Sequence, residues 1–469
     1  MGLKKGEEVT LKIEKAAFKG KGLGFVDGLA VFVPNTAPGD MVKARILNRK
    51  KNHRDAKLLE LLEPSPHRIT PKCMHASVCG GCSWQHLPYE QQLAFKTEQV
   101  RDHVQRIGGL TDVPVRDAIG CDSDFYYRNK MEYSVSNRRW LTDEEINRDT
   151  FVDDAGFAAG LHAPGRFDKI LNLQECHLQT SESFEILDFL RDYCTQKGIE
   201  PFDHMQQTGY LRHVMIRNSY HTDDFMVNLV TFRDDAKIMQ HLKNVLLTEF
   251  PFITTIINNV NDTKSPTSVG RIEHVVFGPG YIVDRIGEYE FKIHPNAFFQ
   301  TNTAQAERLY SVARDYADLK QGDVVYDLYC GVGTLSLFMS SKAKSVLGIE
   351  LVDVAVENAR FNASQNNVEN ASFIKGDMRE VFTMEMVQEF GAPDVLITDP
   401  PRAGMHPDVV QRLCDLKVPR MVYVSCNSST MARDLKELAE VYHITEVQPV
   451  DMFPQTYHIE SVAKLRLKS

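Results

Sequence analysis

Residues 323–334 read Asp-Val-Val-Tyr-Asp-Leu-Tyr-Cys-Gly-Val-Gly-Thr and carry the clearest signal of fold class in the chain. A short apolar strand runs into the carboxylate of Asp327, a loop with Gly331 and Gly333 follows, and a helix is predicted over residues 335–340. Glycines let the backbone pass close to a ligand, and a helix start offers free N–H groups. The pattern is typical of a nucleotide-type cofactor site in a parallel α/β sheet.

Five polar residues follow short apolar runs at intervals of about one β–α unit. They are Asp327, Glu350, Asp377, Asp399 and Cys426, with gaps of 23, 27, 22 and 27 residues. In a parallel sheet these positions share the carboxyl edge, where α/β folds bind their ligands. Glu350 stands at the distance expected of a carboxylate that holds ribose hydroxyls. Any one of the five suits an ordinary helix N-cap, but that explanation accounts poorly for all five in register.

The composition argues against secreted and membrane-spanning proteins. A chain of 469 residues, 25% of them charged, is long enough for about two to four domains. We find no early segment with a charged head, an apolar core and a cleavage site. No apolar run approaches the ~20 residues that span a bilayer, so we expect no membrane partner. We therefore predict a cytoplasmic protein whose nine cysteines are thiols, metal ligands or catalytic groups rather than disulfides.

The first 63 residues differ from the rest in charge and in pattern. They carry 13 Lys and Arg against 8 Asp and Glu, a charge of +5. Because the net charge of the whole chain is −9, the remaining residues carry −14. Short strands alternate with glycine turns, which is typical of a small oligonucleotide-binding (OB-like) β-barrel. Its basic cluster comprises Arg49, Lys50, Lys51, His53, Arg54 and Lys57. Such a cluster suits contact with RNA phosphates, although a charge run is equally often a solvated surface.

The chain divides into three predicted parts. Residues 1–63 form the basic barrel, residues 64–290 a mixed α/β central domain, and residues 291–469 a doubly wound, Rossmann-like α/β domain. The central domain opens with a cysteine-rich stretch at residues 67–86 and a helix at residues 88–107. The overall fold class is therefore α/β with an N-terminal barrel.

The loop Asp-Pro-Pro-Arg-Ala-Gly at residues 399–404 points from a cofactor site to chemistry. Two prolines after a strand-end carboxylate stiffen the loop and fix Asp399. Such loops resemble those of S-adenosylmethionine-dependent methyltransferases that act on nucleobases, where the loop holds a planar substrate beside the methyl donor. The resemblance leaves two reactions open, attack by an exocyclic amine and attack by a ring carbon.

Cys426 distinguishes these two reactions. It follows the apolar run of residues 421–424, so its thiol is predicted at the carboxyl end of a strand. C5 of a pyrimidine is a weak nucleophile, but addition of a thiolate at C6 gives an enolate whose C5 accepts a methyl group. A base must then remove the C5 proton, and Glu460, ahead of the strand-like run of residues 461–467, is the candidate. A lone cysteine is more often a buried apolar residue, but the position after the fifth strand favours catalysis.

A second group of cysteines lies in the central domain. Cys73, Cys79 and Cys82 supply three thiols within ten residues, and Cys176 is the best fourth. Three clustered cysteines with one distant partner suit either Zn²⁺ or a [4Fe–4S] cluster. Zinc sites more often use two short Cys pairs, so the spacing favours iron–sulfur without deciding the question.

Together these motifs resemble the RNA (uracil-5-)-methyltransferases, and the resemblance covers nearly the whole chain. The motifs that show this resemblance lie at residues 296–302, 399–404, 424–427 and 453–460. The cysteine group and the N-terminal barrel, a TRAM domain in that family, make the chain most similar to the enzymes of 23S ribosomal RNA. Ser428 and Gln455 stand where that family commonly has Pro and His, and Thr334 stands where some members have Asn.

The resemblance implies a reaction and a set of site residues. It implies methyl transfer from S-adenosyl-L-methionine to C5 of an unpaired or loop uridine, with Cys426 as nucleophile and Glu460 as base. Asp399 would lie close to both cofactor and uracil. The other implied cofactor contacts are Gln300, Tyr329, Glu350 and Asp377. The implied ligands of a [4Fe–4S] cluster are Cys73, Cys79, Cys82 and Cys176, and the helix at residues 88–107 would pack on the C-terminal domain.

Three other functions stay open on the sequence alone. The first is a tRNA (uracil-5-)-methyltransferase, and the second is an amine-directed nucleic-acid methyltransferase with an inert Cys426. The third is a non-catalytic RNA-binding protein, with the barrel and the metal cluster as its scaffold. Separately, the run Phe-Tyr-Tyr-Arg-Asn-Lys at residues 125–130 suits base stacking and phosphate contact in single-stranded RNA, although aromatic strand residues packed inward explain it at least as well. Cys426 and Glu460 together argue against the second and third. We expect a monomer in every case.

Overall fold

A computed structural model describes residues 3–146, 152–163, 169–265 and 267–469. The N-terminal part is a closed five-stranded barrel in the order β1-β2-β3-β5-β4. Its strands are β1 (Glu8–Ala17), β2 (Lys21–Val26), β3 (Leu29–Val33), β4 (Met41–Arg49) and β5 (His53–Glu63), with a 3-10 turn at Phe18–Gly20. Alternate residues such as Val9, Leu11 and Ile13 fill the interior, as the period of two requires. The predicted OB-like barrel is confirmed.

A long helix, α1 (Tyr89–Arg106), separates the barrel from a seven-stranded central sheet. The strands of that sheet and the helices that connect them are β6 (Lys130–Arg138), α2 (Asp143–Ile146), β7 (Ala155–His162), β8 (Ile170–Asn172), α3 (Ser181–Lys197), β9 (Leu211–Asn218), β10 (Phe225–Thr231), α4 (Ala236–Glu249), β11 (Thr255–Val260) and β12 (Ile272–Phe277). Their strand order is β12-β11-β10-β9-β6-β7-β8. A two-stranded hairpin follows, made of β13 (Ile282–Ile286) and β14 (Tyr289–Ile293).

This hairpin spans the boundary predicted at residue 290. Its apolar side chains, among them Ile286 and Phe291, belong to the hydrophobic core of the last sheet. The division of the chain into domains stays a prediction, and we propose that the C-terminal domain begins ahead of the hairpin.

The C-terminal part is a second seven-stranded sheet with helices on both faces. Its elements are α5 (Thr303–Ala317), β15 (Val324–Leu328), α6 (Thr334–Ser340), β16 (Ser345–Glu350), α7 (Asp353–Gln365), β17 (Ala371–Lys375), α8 (Met378–Val381), α9 (Met384–Phe390), β18 (Val395–Thr398), α10 (Pro407–Leu416), β19 (Arg420–Ser425), α11 (Ser428–Leu438), β20 (Tyr442–Val450) and β21 (Glu460–Leu467). The helix predicted at residues 335–340 begins one residue earlier, at Thr334.

The order of this sheet is β17-β16-β15-β18-β19-β21-β20. The first five strands are parallel, and β21 runs antiparallel to both β19 and β20. Met421 to Val424 are all buried, because a parallel strand covered by helices on both faces is apolar throughout. The predicted Rossmann-like α/β fold is confirmed.

Helix α1 packs against α11 and β20 of the last sheet rather than against its neighbours in sequence. Its buried positions include Gln92, Lys96 and Val100, which recur at intervals of four residues on one face. Among the described residues, no helix is long and apolar enough to cross a membrane.

Candidate active site

The strand order of the last sheet brings six polar residues to a single edge. Asp377 follows β17, Glu350 ends β16, Asp327 lies near the end of β15, Asp399 follows β18 and Cys426 follows β19. These five strands lie side by side across the sheet in the order just given. Glu460 reaches the same edge from the opposite direction, because the antiparallel β21 begins there. The edge therefore combines four carboxylates of the parallel strands with a thiol and a fifth carboxylate.

A cavity of about 920 Å³ opens along this edge. All seven residues predicted for catalysis and cofactor binding line it, namely Gln300, Tyr329, Glu350, Asp377, Asp399, Cys426 and Glu460. A cavity of this volume is at the upper end of the size range of small-molecule sites, about 300–1,000 Å³.

The cofactor end of the cavity is built around the glycine loop. Oε2 of Glu350 accepts a hydrogen bond from the backbone N–H of Gly331 at 3.1 Å, and its Oε1 accepts one from Val352 at 2.9 Å. Gly333 has a φ of +80°, and a Cβ there would lie 3.0 Å from the ring of Phe373. The turn at Gly333 therefore requires glycine. The loop lies against Glu350, and backbone N–H groups orient the Glu350 carboxylate.

Asp377 has a different environment from Glu350. Its carboxylate caps α8 and accepts hydrogen bonds from the guanidinium of Arg379, including one of 3.0 Å from Nε. The hydrogen bonds from Arg379 lower the pKa of Asp377 to about 2. Asp377 is therefore ionised at every physiological pH, and its charge is already paired with a cation at the cavity wall.

Asp399 and Glu460 are buried carboxyl groups with raised pKa values. Burial raises the pKa of Asp399 to about 7. Burial, together with the charge of Asp399, raises the pKa of Glu460 to about 8, and the cation of Arg402 opposes that shift. Glu460 is therefore largely protonated near neutral pH, and it becomes a base when a cation approaches or the pH rises.

Cys426 is half-buried beside these carboxyl groups. Burial, and then the negative charges of Glu460 and Asp399, raise the pKa of the Cys426 thiol to about 11, while Arg402 acts in the opposite direction. A thiol in this setting is inert until the surrounding charge changes. Substrate and a positively charged cofactor would supply that change, so the site favours thiolate formation after loading.

Asp327 is the functional candidate that the sequence analysis placed on the edge without giving it a role. Its Oδ2 accepts a hydrogen bond from Ser336, while its buried Oδ1 has no partner among the described residues. It lines a small cavity of about 50 Å³ with Gln300, Tyr310 and Thr334, next to the main one. Burial raises its pKa to about 7. In the sequence, the only indication of a role for Asp327 was its place in the series of strand-end residues that includes Asp399.

The loop that carries Glu460 is held by helix α1. The family resemblance implied that this helix packs on the C-terminal domain, but it did not indicate which side chains make the contacts. Nζ of Lys96 donates to Oδ1 of Asp451 at 2.7 Å and to the carbonyl of Phe453 at 3.1 Å. The amide of Gln92 donates to Oε1 of Gln455 at 3.0 Å and accepts from the Gln455 backbone N–H at 2.9 Å. The spacing of Gln92 and Lys96 by four residues, on one helix face, was the only signal in the sequence.

The cysteine loop contacts the same segment. The backbone N–H groups of Ser83 and Trp84 donate to the carbonyl of Gln455 at 2.8 and 3.1 Å, and Gly81 lines the main cavity. Gln455, which stands where the related family often has His, adopts a left-handed φ of +66°. The chain between Cys82 and α1 is therefore attached directly to the loop of Glu460.

The four predicted metal ligands, Cys73, Cys79, Cys82 and Cys176, are close enough to interact electrostatically. Burial is the main cause of their raised pKa values, and the charges of the neighbouring thiolates add to it for three of them. Among the described residues, no group of His, Cys, Asp or Glu has the arrangement needed for a single ion. A single Zn²⁺ needs sulfurs within about 4 Å of one another, since Zn–S bonds are ~2.3 Å long.

A [4Fe–4S] cluster bonds each of four thiolates to a different iron, so its sulfurs lie farther apart than those around one ion. The donor set of four thiols fits such a cluster. The backbone N–H of Gly81 also lies 3.4 Å from Sγ of Cys79. Backbone donors of this kind stabilise cluster sulfurs.

The aromatic and cationic run at residues 125–130 divides between two roles. Tyr127 donates to the carbonyl of Pro454 at 3.0 Å, and the Asn129 amide donates to the carbonyl of Gln300 at 2.8 Å. Arg128 lines the main cavity, while Tyr126 is exposed beneath the ammonium of Lys72. The run thus supports the cavity wall from behind and offers one exposed ring.

In the basic cluster of the barrel, Arg54 is buried and donates to the carbonyls of Leu3, Lys50 and His53. Its role is therefore structural, in contrast to the prediction of a phosphate contact. Arg49, Lys50 and Lys51 are exposed.

Three features together are typical of S-adenosylmethionine-dependent RNA methyltransferases. They are a doubly wound sheet with a glycine loop, a carboxylate-lined cavity at the carboxyl edge of that sheet, and an N-terminal basic barrel. Residues 273–468 match the family model described as tRNA (uracil-5-)-methyltransferase, and residues 2–59 match the TRAM domain. The chain belongs to the RNA (uracil-5-)-methyltransferase family, as the resemblance of its motifs predicted.

Full-length relatives agree with this assignment. The chain is 42% identical to an uncharacterized RNA methyltransferase of Chlorobaculum tepidum, over 98% of this chain and 96% of that one. It is 40% identical to one of Bacteroides thetaiotaomicron, over 96% of this chain and all of that one. Among solved structures, the tRNA (uracil-54, C5)-methyltransferase of Pyrococcus abyssi, in complex with S-adenosyl-L-homocysteine, has a TM-score of 0.75 and 32% identity. That alignment covers 97% of this chain and 100% of the Pyrococcus chain.

Proposed function

We propose that this protein transfers a methyl group from S-adenosyl-L-methionine to C5 of a uridine in RNA through a covalent adduct with Cys426. The observation that supports this most strongly is the shared cavity of Cys426, Asp399 and Glu460 at the edge where β19 ends and β21 begins. A thiol and a separate base at one cavity are what C5 chemistry needs, and amine methylation needs neither.

The steps follow from the residues in the cavity. The thiolate of Cys426 adds to C6 of uracil, and the ring electrons move to form an enolate. The bound cofactor supplies an electrophilic methyl group, which C5 then accepts. Glu460 removes the C5 proton, the C5–C6 double bond re-forms, and the thiolate of Cys426 leaves C6.

Charge couples these steps to one another. The pKa of Glu460 is raised to about 8, so its carboxylate forms most readily once positive charge and uracil occupy the cavity. Asp399 lies between the cofactor end and Cys426 and is positioned to hold the polar edge of uracil. We assign cofactor contacts to Gln300, Tyr329, Glu350, Asp377 and Asp399.

The proposed substrate is 23S ribosomal RNA, at an unpaired or loop uridine that can be turned out of its stack. A transfer RNA is the second candidate. It is favoured by the names of the Pyrococcus abyssi enzyme and of the matching family model, both of which refer to tRNA. We further propose that the protein acts as a monomer and that Cys73, Cys79, Cys82 and Cys176 hold a [4Fe–4S] cluster.

The test compares two variants on RNA isolated from a strain that lacks this gene. Cys426→Ala should abolish methylation and form no covalent complex. Glu460→Gln should lose turnover yet accumulate a protein–RNA adduct that survives a denaturing gel, because it blocks only the last step. The unmodified protein should form the same adduct with 5-fluorouridine RNA, since fluorine does not leave as a cation. Methylation by Cys426→Ala, or an N-methylated base as product, would establish the amine-directed reaction instead.

Mapping of 5-methyluridine in the same RNA decides between the two substrates. Restoration of 5-methyluridine at a 23S position supports the ribosomal assignment, and restoration only in transfer RNA contradicts it. No methylation of any RNA by the unmodified protein would favour a non-catalytic RNA-binding protein.

A further inference from the structure

A second cavity meets the active site at Cys426. It has a volume of about 310 Å³ and shares Arg402, Cys426 and His458 with the main cavity. Its remaining walls include Lys19 from the barrel and Tyr457 from the loop of Glu460. Cys426 therefore lies between two openings, one along the sheet edge and one bounded by the barrel.

The walls of the second cavity combine cations with aromatic rings. Lys19 and Arg402 are exposed, and the rings of Tyr457 and His458 lie 4.2 Å apart at an interplanar angle of 34°. Burial lowers the pKa of His458 to about 4, so its ring is uncharged at neutral pH. Of the described residues that line this cavity, none is Asp or Glu. Aromatic rings beside exposed cations are the chemistry that binds a single-stranded nucleotide.

The barrel turn that supplies Lys19 is fixed in place by two contacts and an unusual backbone. Lys19 has a φ of +68°, in the region that favours glycine, and Gly20 follows with a φ of +72°. The carbonyl of Gly20 accepts a hydrogen bond from the indole of Trp84 at 3.3 Å, and a Cβ on Gly20 would lie 3.2 Å from Tyr457. The contacts of this turn hold the backbone of Lys19 beside the second cavity.

Arg402 is fixed relative to Cys426 on the other side of the cavity. Its carbonyl accepts from the side-chain amide of Asn427 at 2.9 Å and from the hydroxyl of Thr430 at 3.3 Å. The loop after β18 and the turn after β19 thus move together. Both cations of the cavity are carried by backbone that is held from several directions.

We propose that the second cavity binds the nucleotide next to the target uridine, with its base against Tyr457 and His458 and its phosphate between Lys19 and Arg402. The inference rests on the proposed function, since a uridine joined to Cys426 leaves its neighbour beside this opening. It gives the barrel a specific part in substrate choice, because one of the two phosphate contacts comes from Lys19.

The experiment measures equilibrium binding of a labelled 12-nucleotide unstructured RNA with one central uridine, in the presence of S-adenosyl-L-homocysteine. Lys19→Gly keeps the left-handed backbone and removes the cation. It should weaken binding by about 3- to 10-fold and lower the salt slope by about 0.7. The matched control is Lys417→Gly at the end of α10, where an exposed lysine has a φ of +52° outside both cavities. It should change binding by less than about 2-fold.

A second comparison uses the same RNA without the base next to the uridine. Loss of that base should weaken binding to the unmodified protein by about 5- to 100-fold, the usual range for one stacked base. The same loss should have little effect on Tyr457→Ala, whereas Tyr457→Phe should behave as the unmodified protein does.

Equal binding by Lys19→Gly and Lys417→Gly, or equal effects of base removal on Tyr457→Ala and the unmodified protein, would overturn the proposal. Formation of 5-methyluridine is measured separately. Product formation without these binding differences rejects the second site alone. The full set of binding differences without 5-methyluridine supports the nucleotide site and rejects the proposed reaction.

Discussion

The ammonium group of Lys96 lies 2.7 Å from Oδ1 of Asp451, and both side chains are fully buried. Tyr89 donates to the other oxygen, Oδ2, at 3.0 Å, so both carboxylate oxygens are bound by groups of α1. A buried ion pair costs desolvation energy, which good geometry and added hydrogen bonds offset. This pair connects a helix near the barrel with Asp451, 355 residues later in the chain, in the segment that leads to Glu460.

Lys96→Met should both destabilise the protein and slow catalysis. Removal of one partner leaves Asp451 as an uncompensated buried charge, at a cost of about 3–5 kcal/mol in the free energy of unfolding. The carbonyl of Phe453 also loses its donor, so kcat should fall by about 10- to 100-fold while the Kd of S-adenosyl-L-homocysteine changes little.

Thermal unfolding, kcat and calorimetric binding measure these quantities. The control is Lys96→Met combined with Asp451→Leu, which should recover most of the stability and little of the kcat. Unchanged kcat in Lys96→Met would show that the ion pair does not position the catalytic loop.

The pH dependence should reflect the buried carboxyl group of Glu460. The pKa of Glu460 is raised to about 8 and only its carboxylate is a base, so the release step, and with it kcat, should become faster as the pH rises towards 8. The thiol of Cys426, with a pKa of about 11, adds to the same trend because its thiolate fraction also grows with pH. A pH profile of methylation under saturating RNA measures this. A decline in kcat between pH 6 and 8 would contradict Glu460 as base.

Glu460→Gln provides a sharper comparison through the rate of adduct formation. Above a pH of about 8 Glu460 carries a negative charge that raises the pKa of Cys426, and the substitution removes this charge, so more thiolate exists at pH 9. Adduct formation with 5-fluorouridine RNA at pH 9 should therefore be faster in this variant than in the unmodified protein. A slower rate would indicate that Glu460 also assists the attack.

Protein purified without oxygen should be brown and contain about four iron and four sulfide per chain, as expected of a [4Fe–4S] cluster on Cys73, Cys79, Cys82 and Cys176. Cys176→Ser should lower the iron content, whereas Cys414→Ser on α10, a half-buried cysteine away from the group, should not. Iron analysis and visible absorbance measure both. Stoichiometric zinc without iron would contradict the assignment.

The exposed cations of the barrel should contribute to RNA affinity through salt-dependent contacts. Lys50→Ala with Lys51→Ala should lower the slope of log K against log salt by about 1.4, for two phosphate contacts on single-stranded RNA. The control pair is Lys342→Ala with Lys344→Ala, two exposed lysines ahead of β16, at the opposite edge of the sheet from the cavity. Filter binding over a range of salt measures both pairs. Equal slopes would mean that the barrel cluster is only a solvated surface.

The sequence predicted the sheet edge well because each β–α unit delivers one residue to it. Asp399 and Cys426 follow apolar runs whose length fixes where the strands end, and Glu460 precedes another. The burial of Arg54 and the contacts of Lys96 and Gln92 could not be predicted in this way. They depend on segments far apart in the chain, and nothing in a local pattern indicates which distant carbonyl or carboxylate a side chain will meet. The hairpin at residue 290 illustrates the same limit, since only packing shows which core it joins.

The position of β21 has a consequence for synthesis on the ribosome. This strand follows every other strand of its sheet in the chain, yet it lies between β19 and β20. The five parallel strands can pair as they emerge and hold Cys426 at their edge, but Glu460 joins only when β21 enters the gap. Under the proposed reaction, a nascent chain therefore acquires its nucleophile before its base. We expect newly made protein to pass through a stage at which RNA is captured but not released, and insertion of one strand ends that stage.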